Sequence, residues 1–108
     1  LWLNDNSLTG EIPPQLASLS KLQQLDLSRN RLSGPLLPQL GNLEQLTQLY
    51  LPDNSLTGEI PPQLARLSKL QVLDLSRNPL SGPVPPQLEN LTQLTVLALV
   101  GNRLSGPV

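Results

Sequence analysis

The sequence contains no cysteine and no histidine, and it also lacks methionine and phenylalanine. Without thiols and imidazoles the chain has no thiolate nucleophile, no Ser-His-Asp triad and neither of the side chains that most structural zinc sites use. A phosphate-binding GxxxxGK[ST] motif is absent as well. We therefore predict that the chain is not an enzyme, and we assign it no catalytic, metal-binding or cofactor-binding residues.

Aromatic residues, excess charge and long apolar runs are also scarce. The only aromatic residues are Trp2 and Tyr50, and the formal net charge is -1 with both signs interspersed. Nucleic-acid binding requires a basic patch or stripe, which this sequence does not provide. The longest apolar run covers residues 96–100, far below the roughly 18 residues of a membrane-spanning helix. We predict no nucleic-acid partner and no membrane insertion by this segment.

Leucine is abundant, and it recurs at a fixed interval. Leucine, isoleucine and valine make up one third of the chain, well above the roughly 20% below which chains tend to stay disordered. Leucine, asparagine and glycine columns all repeat with a spacing of 24 residues. The asparagine column consists of residues 6, 30, 54, 78 and 102, and the glycine column of residues 10, 34, 58, 82 and 106. Such a period predicts stacked coils of chain, each of which contacts only its neighbours.

Each repeat contains a short segment with alternating leucines, LxxLxL, and the period of two predicts a strand with one buried face. We expect strands near residues 1–3, 24–27, 48–51, 72–75 and 96–99. Stacking would join them in a parallel sheet with strands about 4.8 Å apart. The asparagine that follows each strand would lie inside the coil, where its amide must bind backbone groups. We interpret this column as a structural ladder and not as a ligand site.

A complete unit, LQQLDLSRNRLSGPLLPQLGNLEQ at residues 22–45, resembles the leucine-rich-repeat signature LxxLxLxxNxL. Its tail, LxGxIPxxLxxL, is similar to the plant-type subclass found in receptor-like kinases, receptor-like proteins and polygalacturonase-inhibiting proteins. The resemblance covers the whole chain. It implies 3-10 turns on the convex side and a small second strand around SLTGEI. One copy carries Leu37-Pro38 in place of Pro-Pro, and we expect no change of fold there.

The predicted fold class is thus an α/β-type repeat solenoid. It would be a right-handed leucine-rich-repeat superhelix with a parallel concave sheet of short strands and an irregular, 3-10 convex side. We expect residues 1–108 to form a single array of about four and a half repeats, a fragment without its caps. Residues 1–48 and 49–96 match at 38 of 48 positions, which indicates duplication of a two-repeat block. A surface residue present in both blocks can therefore reflect copying rather than selection for a ligand.

The concave face is the recognition surface that the resemblance implies. Its central row alternates aromatic and acidic residues: Trp2, Asp26, Tyr50, Asp74, Ala98. The row of Asn4, Ser28, Pro52, Ser76 and Val100 is also expected to face solvent. The next row alternates acid and base, as Asp5, Arg29, Asp53, Arg77, Gly101, and either a self-neutralising set of ion pairs or a charged ligand site would explain it. The candidate ligand-binding residues are Trp2, Gln24, Asp26, Arg29, Gln48, Tyr50, Asp53, Val72, Asp74 and Arg77.

Two of these features have a structural alternative, and one further site lies elsewhere. Trp2 could be a ligand anchor, or it could pack on a preceding coil. The apolar positions near the C-terminus could be a binding patch or the contact for a following segment; these are Val72, Val96, Ala98 and Val100. On the convex side, Asn90-Leu91-Thr92 is an N-x-[ST] sequon, so Asn90 could carry a glycan if the protein is secreted.

Our leading hypothesis is non-catalytic recognition of a protein or peptide, or of a glycan, by the concave face, as part of a receptor-like protein. One alternative is an intracellular scaffold or regulatory segment attached to another domain such as a GTPase. Another is a secreted enzyme inhibitor. An extracellular or plasma-membrane ectodomain is slightly favoured over the cytoplasm, although the absence of cysteine mildly suits an intracellular protein. We predict no cofactor.

Overall fold

The computed structural model describes residues 1–105, so Gly106 of the glycine column lies outside the described residues. In each complete repeat two short strands are followed by a 3-10 turn. The strands are β1 (Thr9–Glu11), β2 (Gln24–Asp26), β3 (Arg31–Pro35), β4 (Gln48–Tyr50), β5 (Ser55–Glu59), β6 (Val72–Asp74), β7 (Leu80–Pro83), β8 (Val96–Ala98) and β9 (Arg103–Ser105). The 3-10 turns are Pro14–Ser18, Pro38–Asn42, Pro62–Arg66 and Pro86–Asn90. This order confirms the predicted solenoid.

The alternating leucines form the expected parallel sheet, in the order β2-β4-β6-β8. Its register pairs residues 24 apart, so that Leu25 lies beside Leu49 and Leu73 beside Leu97. The first copy contributes only an isolated bridge, between Trp2 and Asp26. The strands are one residue shorter than predicted, because the chain starts to turn inward after the third residue. The predicted strand positions are otherwise confirmed.

A second parallel sheet, in the order β1-β3-β5-β7-β9, lies on the other side of each asparagine. It confirms the small strand expected around SLTGEI. The 3-10 turns follow on the convex side, and each starts at a proline whose fixed φ suits the first turn. The copy with Leu37-Pro38 has the same turn, because Leu37 adopts the extended angles φ -78 and ψ 129 that a proline would supply. The expectation of an unchanged fold there is confirmed.

The interior is a single leucine-rich core that runs through all coils. In the middle coils the strand leucines are wholly excluded from solvent, and Leu49 and Leu73 have an exposure of 0%. At the last coil the equivalent Leu97 is 43% exposed. Burial of a leucine stabilises a fold by roughly 1.5–3 kcal/mol, so neighbouring coils supply the stability that one coil alone would lack.

Asn30, Asn54 and Asn78 of the asparagine column lie inside the coils, and their side chains bind backbone groups of two successive coils. Asn54 shows the pattern, because its Nδ2 donates to the carbonyl oxygens of Leu27 and Leu51 at 3.0 and 3.2 Å. Its Oδ1 accepts from the N–H of Leu32 at 3.1 Å. Asn78 repeats these contacts one coil later. The predicted structural ladder is therefore present.

Candidate functional site on the concave face

The strands of the concave sheet point every second side chain outward. In β2, β4 and β6 the central leucine is buried, while the first and third residues are half-buried and face the open side of the sheet. Six candidates occupy these outward positions: Gln24, Asp26, Gln48, Tyr50, Val72 and Asp74. The other four candidates extend the same face: Trp2 at the isolated bridge, and Arg29, Asp53 and Arg77 in the turns after the strands. Their ligand-binding role stays a prediction.

The central row places aromatic and acidic side chains side by side. Trp2 bridges to Asp26, Asp26 pairs with Tyr50, and Tyr50 pairs with Asp74. Neighbouring strands lie about 4.8 Å apart, so each carboxylate has an aromatic ring as its immediate neighbour. Trp2 is 58% exposed. Large, rigid aromatic side chains at this level of exposure are frequent anchors of protein interfaces.

The two carboxylates of the central row are held in place by serines that sequence reasoning missed. Oδ1 of Asp26 accepts from the N–H of Ser28 at 2.9 Å and also from its hydroxyl. Oδ1 of Asp74 accepts from the N–H of Ser76 at 3.0 Å. An Asp that binds the backbone two residues later is a recurrent local pattern, and the repeated Asp-Leu-Ser spacing was the signal for it.

One predicted solvent-facing row is wrong at its three middle positions. Ser28, Pro52 and Ser76 are buried, although the row they belong to was expected to face a partner. Their carbonyl oxygens accept from Nδ2 of the asparagine two residues later, at 3.1 to 3.2 Å. These bonds draw this segment into the coil, and adjacent coils then cover its side chains. At the two ends this row remains accessible: Asn4 is half-buried, and Val100 is 73% exposed.

The acid–base row forms two separate ion pairs. Nε and Nη2 of Arg29 donate to both carboxylate oxygens of Asp5 at 2.6 and 2.8 Å, and Arg77 binds Asp53 with the same distances. Within residues 1–105, Arg29 forms no ion pair with Asp53. Each arginine therefore neutralises the aspartate of the preceding coil. The ion pairs stay separate and do not form a continuous ladder.

The same pairs shift the ionisation of their members. The hydrogen bonds from Arg29 hold the pKa of Asp5 below its ordinary value, and those from Arg77 do the same to the pKa of Asp53. The carboxylates in turn raise the pKa of both arginines.

All four residues have left-handed backbone, with φ between 52° and 60°, a conformation that non-glycine residues seldom adopt.

The side chains of the concave face can contact a partner through aromatic rings, hydrogen bonds and ion pairs. Among the described residues no group of three or more acidic, histidine or cysteine side chains could hold a metal ion. The face offers aromatic rings, carboxylates held by serine, and paired guanidinium groups.

On the opposite, convex side, Asn90 is exposed at the end of its 3-10 turn. Its glycosylation stays a prediction.

Comparison with known proteins gives two family-model matches. A model described as "Leucine rich repeat" matches residues 44–104, and a second model with the same description matches residues 1–19 and 21–43. No curated protein sequence matches. No helix of residues 1–105 combines the length and apolar character that crossing a membrane requires.

Several solved structures share the fold. One is the ectodomain of the Arabidopsis thaliana membrane receptor kinase GASSHO1/SCHENGEN3 in complex with CASPARIAN STRIP INTEGRITY FACTOR 2, with 42% identity, a TM-score of 0.98, and coverage of 100% of this chain and 13% of that one. The Arabidopsis receptor kinase HAESA, in complex with the peptide hormone IDA and the co-receptor SERK1, has 40% identity, a TM-score of 0.96, and coverage of 100% and 18%. A plant ice-binding protein has 40% identity, a TM-score of 0.90, and coverage of 96% and 34%.

Proposed function

This chain belongs to the leucine-rich-repeat family, and from that premise we propose that it is a non-catalytic recognition segment whose concave face binds a protein or peptide. The observation that carries the proposal is the central row, in which Trp2 and Tyr50 alternate with Asp26 and Asp74 on one open sheet face. The central leucine of each strand is buried in the core and holds the strand in place under this face. The row therefore offers partly exposed aromatic anchors on a rigid support, which suits protein recognition.

The solved neighbours support a receptor-type setting. The two receptor kinases named above were solved in complexes, one with CASPARIAN STRIP INTEGRITY FACTOR 2 and one with a peptide hormone and a co-receptor. The present chain spans less than one fifth of either. We propose that it, too, works outside the cell as part of a receptor-like protein. In that setting the exposed Asn90 would accept a glycan on the convex side, away from the partner.

Ice binding, which the name of the third neighbour suggests, is less well supported by the side chains. The exposed hydroxyls of Thr9, Ser33 and Thr57 lie on the second sheet. There Ser33 pairs with Ser55, but Thr9 pairs with Arg31 and Thr57 with Pro35, so the hydroxyls do not form a continuous row. Charged residues also stand among them. The same fold thus serves different ligands, and the partner class has to be argued from the exposed side chains.

Selection of peptide binders tests the proposal while the natural partner is unidentified. The chain would be used to select binders from a displayed library of random short peptides, and the affinity of the best binder would then be measured by fluorescence anisotropy. We expect Trp2→Ala and Tyr50→Ala each to weaken binding about tenfold or more. The matched controls are Gln15→Ala and Leu19→Ala, which truncate exposed side chains outside the concave face, and they should leave affinity unchanged.

The same measurement can overturn the proposal. If Gln15→Ala or Leu19→Ala weakens the selected binders while the concave variants do not, recognition uses another surface. Thermal unfolding of each variant is recorded alongside, so that a loss of affinity is scored only for a folded protein.

A further inference from the structure

The concave face carries an unbalanced negative charge. Its central and acid–base rows hold four aspartates and two arginines within the described residues. Arg29 and Arg77 are each bound at both carboxylate oxygens by Asp5 and Asp53, respectively. The two remaining carboxylates belong to the central row, at Asp26 and Asp74.

These two carboxylates are oriented but not saturated. Within residues 1–105, the hydrogen bonds to Asp26 and Asp74 all reach Oδ1. Oδ2 of each is therefore available to a donor on a partner. Because the serine bonds already fix the two aspartate side chains, these side chains would lose little further conformational freedom when a partner binds.

The neighbours of these carboxylates favour a cation. Asp26 lies between Trp2 and Tyr50, and Asp74 lies on the other side of Tyr50. The face of an aromatic ring attracts an ammonium or guanidinium group, and a carboxylate attracts the same group at close range. A lysine or arginine of a partner would therefore contact both kinds of group at once, whereas an acidic partner would meet repulsion from both.

The distance between the two carboxylates favours one backbone conformation of a bound peptide. Asp26 and Asp74 are two strands apart in register, a separation of about 9.6 Å along the stack at about 4.8 Å per strand. A polyproline II helix has three residues per turn and advances about 9.3 Å per turn. Its side chains at every third position therefore match this separation. In an extended β-strand the side chains of one face are about 6.6 Å apart, which does not match.

We propose that the central row binds a basic peptide in the polyproline II conformation, with lysine or arginine at every third position and its axis along the stack of coils. This deepens the proposed function and rests on it. One basic side chain of the peptide would bind Asp26 and the next would bind Asp74. The ring of Tyr50 would lie between these two side chains.

The probe is a fluorescently labelled peptide of Pro-Pro-Lys repeats, measured by anisotropy against the full chain. A composition-matched peptide with its lysines in adjacent positions controls for net charge, and a Pro-Pro-Gln repeat controls for the backbone. We expect the Pro-Pro-Lys peptide to bind about tenfold more tightly than the peptide with adjacent lysines, and the Gln peptide not to bind detectably. Binding should weaken as salt concentration rises.

Isosteric variants locate the contact. Asp26→Asn and Asp74→Asn remove charge but keep the oxygen that Ser28 and Ser76 bind, so both should fold. Each is expected to weaken binding about fivefold or more. Glu44→Gln is the matched control, since it removes an exposed carboxylate outside the concave strands and should leave affinity unchanged.

Three outcomes would overturn this inference. They are equal binding of the two lysine peptides, an equal effect of Glu44→Gln and Asp26→Asn, and no effect of Asp26→Asn or Asp74→Asn. These results remain distinguishable from failure of the proposed function. Library-selected peptides that need Trp2 and Tyr50 but carry no periodic basic residues would refute only the basic-peptide inference. Binders that depend only on the convex side would refute both.

Discussion

The asparagine column inside the coils and the acid–base row on the concave face differ in how far they propagate. Asn30, Asn54 and Asn78 each bind backbone of their own coil and of the preceding one, so the contact recurs at every step. The ion pairs form between alternate pairs of coils and leave a break between Arg29 and Asp53. The interior thus repeats every 24 residues, whereas the surface pairs repeat every 48.

The fold requires the first of these patterns and tolerates interruption of the second. A buried amide without partners costs about 1–3 kcal/mol, and this penalty applies in every coil. Exposed ion pairs contribute little and are screened by salt, so a break in them has a small effect on stability. The two-coil block, repeated at 38 of 48 positions, is sufficient to explain the spacing of the surface pairs. Substitutions in the interior should therefore cost more free energy than substitutions in the acid–base row.

The largest effect should come from a strand leucine in the middle of the core. Leu49→Ala removes a side chain with 0% exposure and should lower the free energy of unfolding by about 2–5 kcal/mol, through lost burial and an added cavity. Leu97→Ala, at the same column position in the last coil, removes a side chain that is 43% exposed. Urea denaturation should show the smaller loss for Leu97→Ala, and equal losses would be inconsistent with stabilisation by neighbouring coils.

The asparagine ladder should come next. Asn54→Ala removes the acceptor for the N–H of Leu32 and the donor to Leu27 and Leu51. The carbonyls of Leu27 and Leu51 keep Nδ2 of Asn30 and of Asn78, so the N–H of Leu32 is the group left unpaired. We expect a loss of roughly 1–3 kcal/mol, the cost of one unpaired buried polar group. Asn6→Ala is the control, because Asn6 belongs to the same column but is exposed. Chemical denaturation of both variants checks this, and a similar cost for the two would refute the ladder as a stabilising element.

A tight contact between turns should give an effect of similar size. A Cβ at Gly41 would collide with the carbonyl oxygen of Gln63 in the next coil, although alanine occupies the equivalent positions 17 and 65. Gly41→Ala should therefore destabilise the protein by about 1–3 kcal/mol, measured by urea denaturation. An unchanged or increased stability would show that the coils can separate there without cost.

The surface pairs should matter least. Arg77→Gln breaks the pair with Asp53 and should lower the melting temperature less than Leu49→Ala, Asn54→Ala or Gly41→Ala. Arg66→Gln is its control, since Arg66 is exposed and forms no ion pair within residues 1–105. The difference between the two variants should shrink at high salt. A loss as large as that of Asn54→Ala would reverse the contrast between interior and surface.

The pH dependence of stability should report the same pairs. The pKa of Asp5 and of Asp53 is lowered in the folded protein. Their contribution is therefore fully present above the ordinary aspartate pKa of about 3.9, and it is lost as pH falls through the lower folded-state pKa. Melting temperatures recorded from neutral pH to below pH 4 should fall less steeply for a combined Arg29→Gln and Arg77→Gln variant than for the unaltered chain. Equal slopes would show that the pairs contribute no stability.

The sequence was sufficient to predict what burial enforces. The 24-residue pattern revealed Leu49, Asn54 and the 3-10 turns that start at a proline. Each belongs to a column in which an unsuitable residue would destabilise its coil. The burial of Ser28 and Ser76 was missed, because the pattern does not show that Asn Nδ2 bonds draw the preceding segment inward. The break in the acid–base row was missed for another reason, since Arg29 lies one coil from both Asp5 and Asp53 and spacing alone cannot choose between them.

The partner of the concave face was not predictable to the same depth. Nothing in the leucine core depends on the identity of Trp2 or Tyr50, so the repeat places these residues without constraining what they bind. Their arrangement became informative only when the register showed each carboxylate beside an aromatic ring. The ligand class therefore rests on geometry and charge rather than on the repeat itself.

Hydrogen exchange of the Leu32 backbone amide can show whether the asparagine side chains inside the coils hold the coils in register. The alternative is that the ion pairs on the concave face do so. Oδ1 of Asn54 accepts from this backbone amide at 3.1 Å. NMR should show slow exchange in the unaltered chain and in Arg77→Gln, and exchange faster by about tenfold or more in Asn54→Ala. The opposite conclusion would follow if the Leu32 amide exchanged as fast as an exposed one in the unaltered chain, or if Arg77→Gln accelerated it as much as Asn54→Ala.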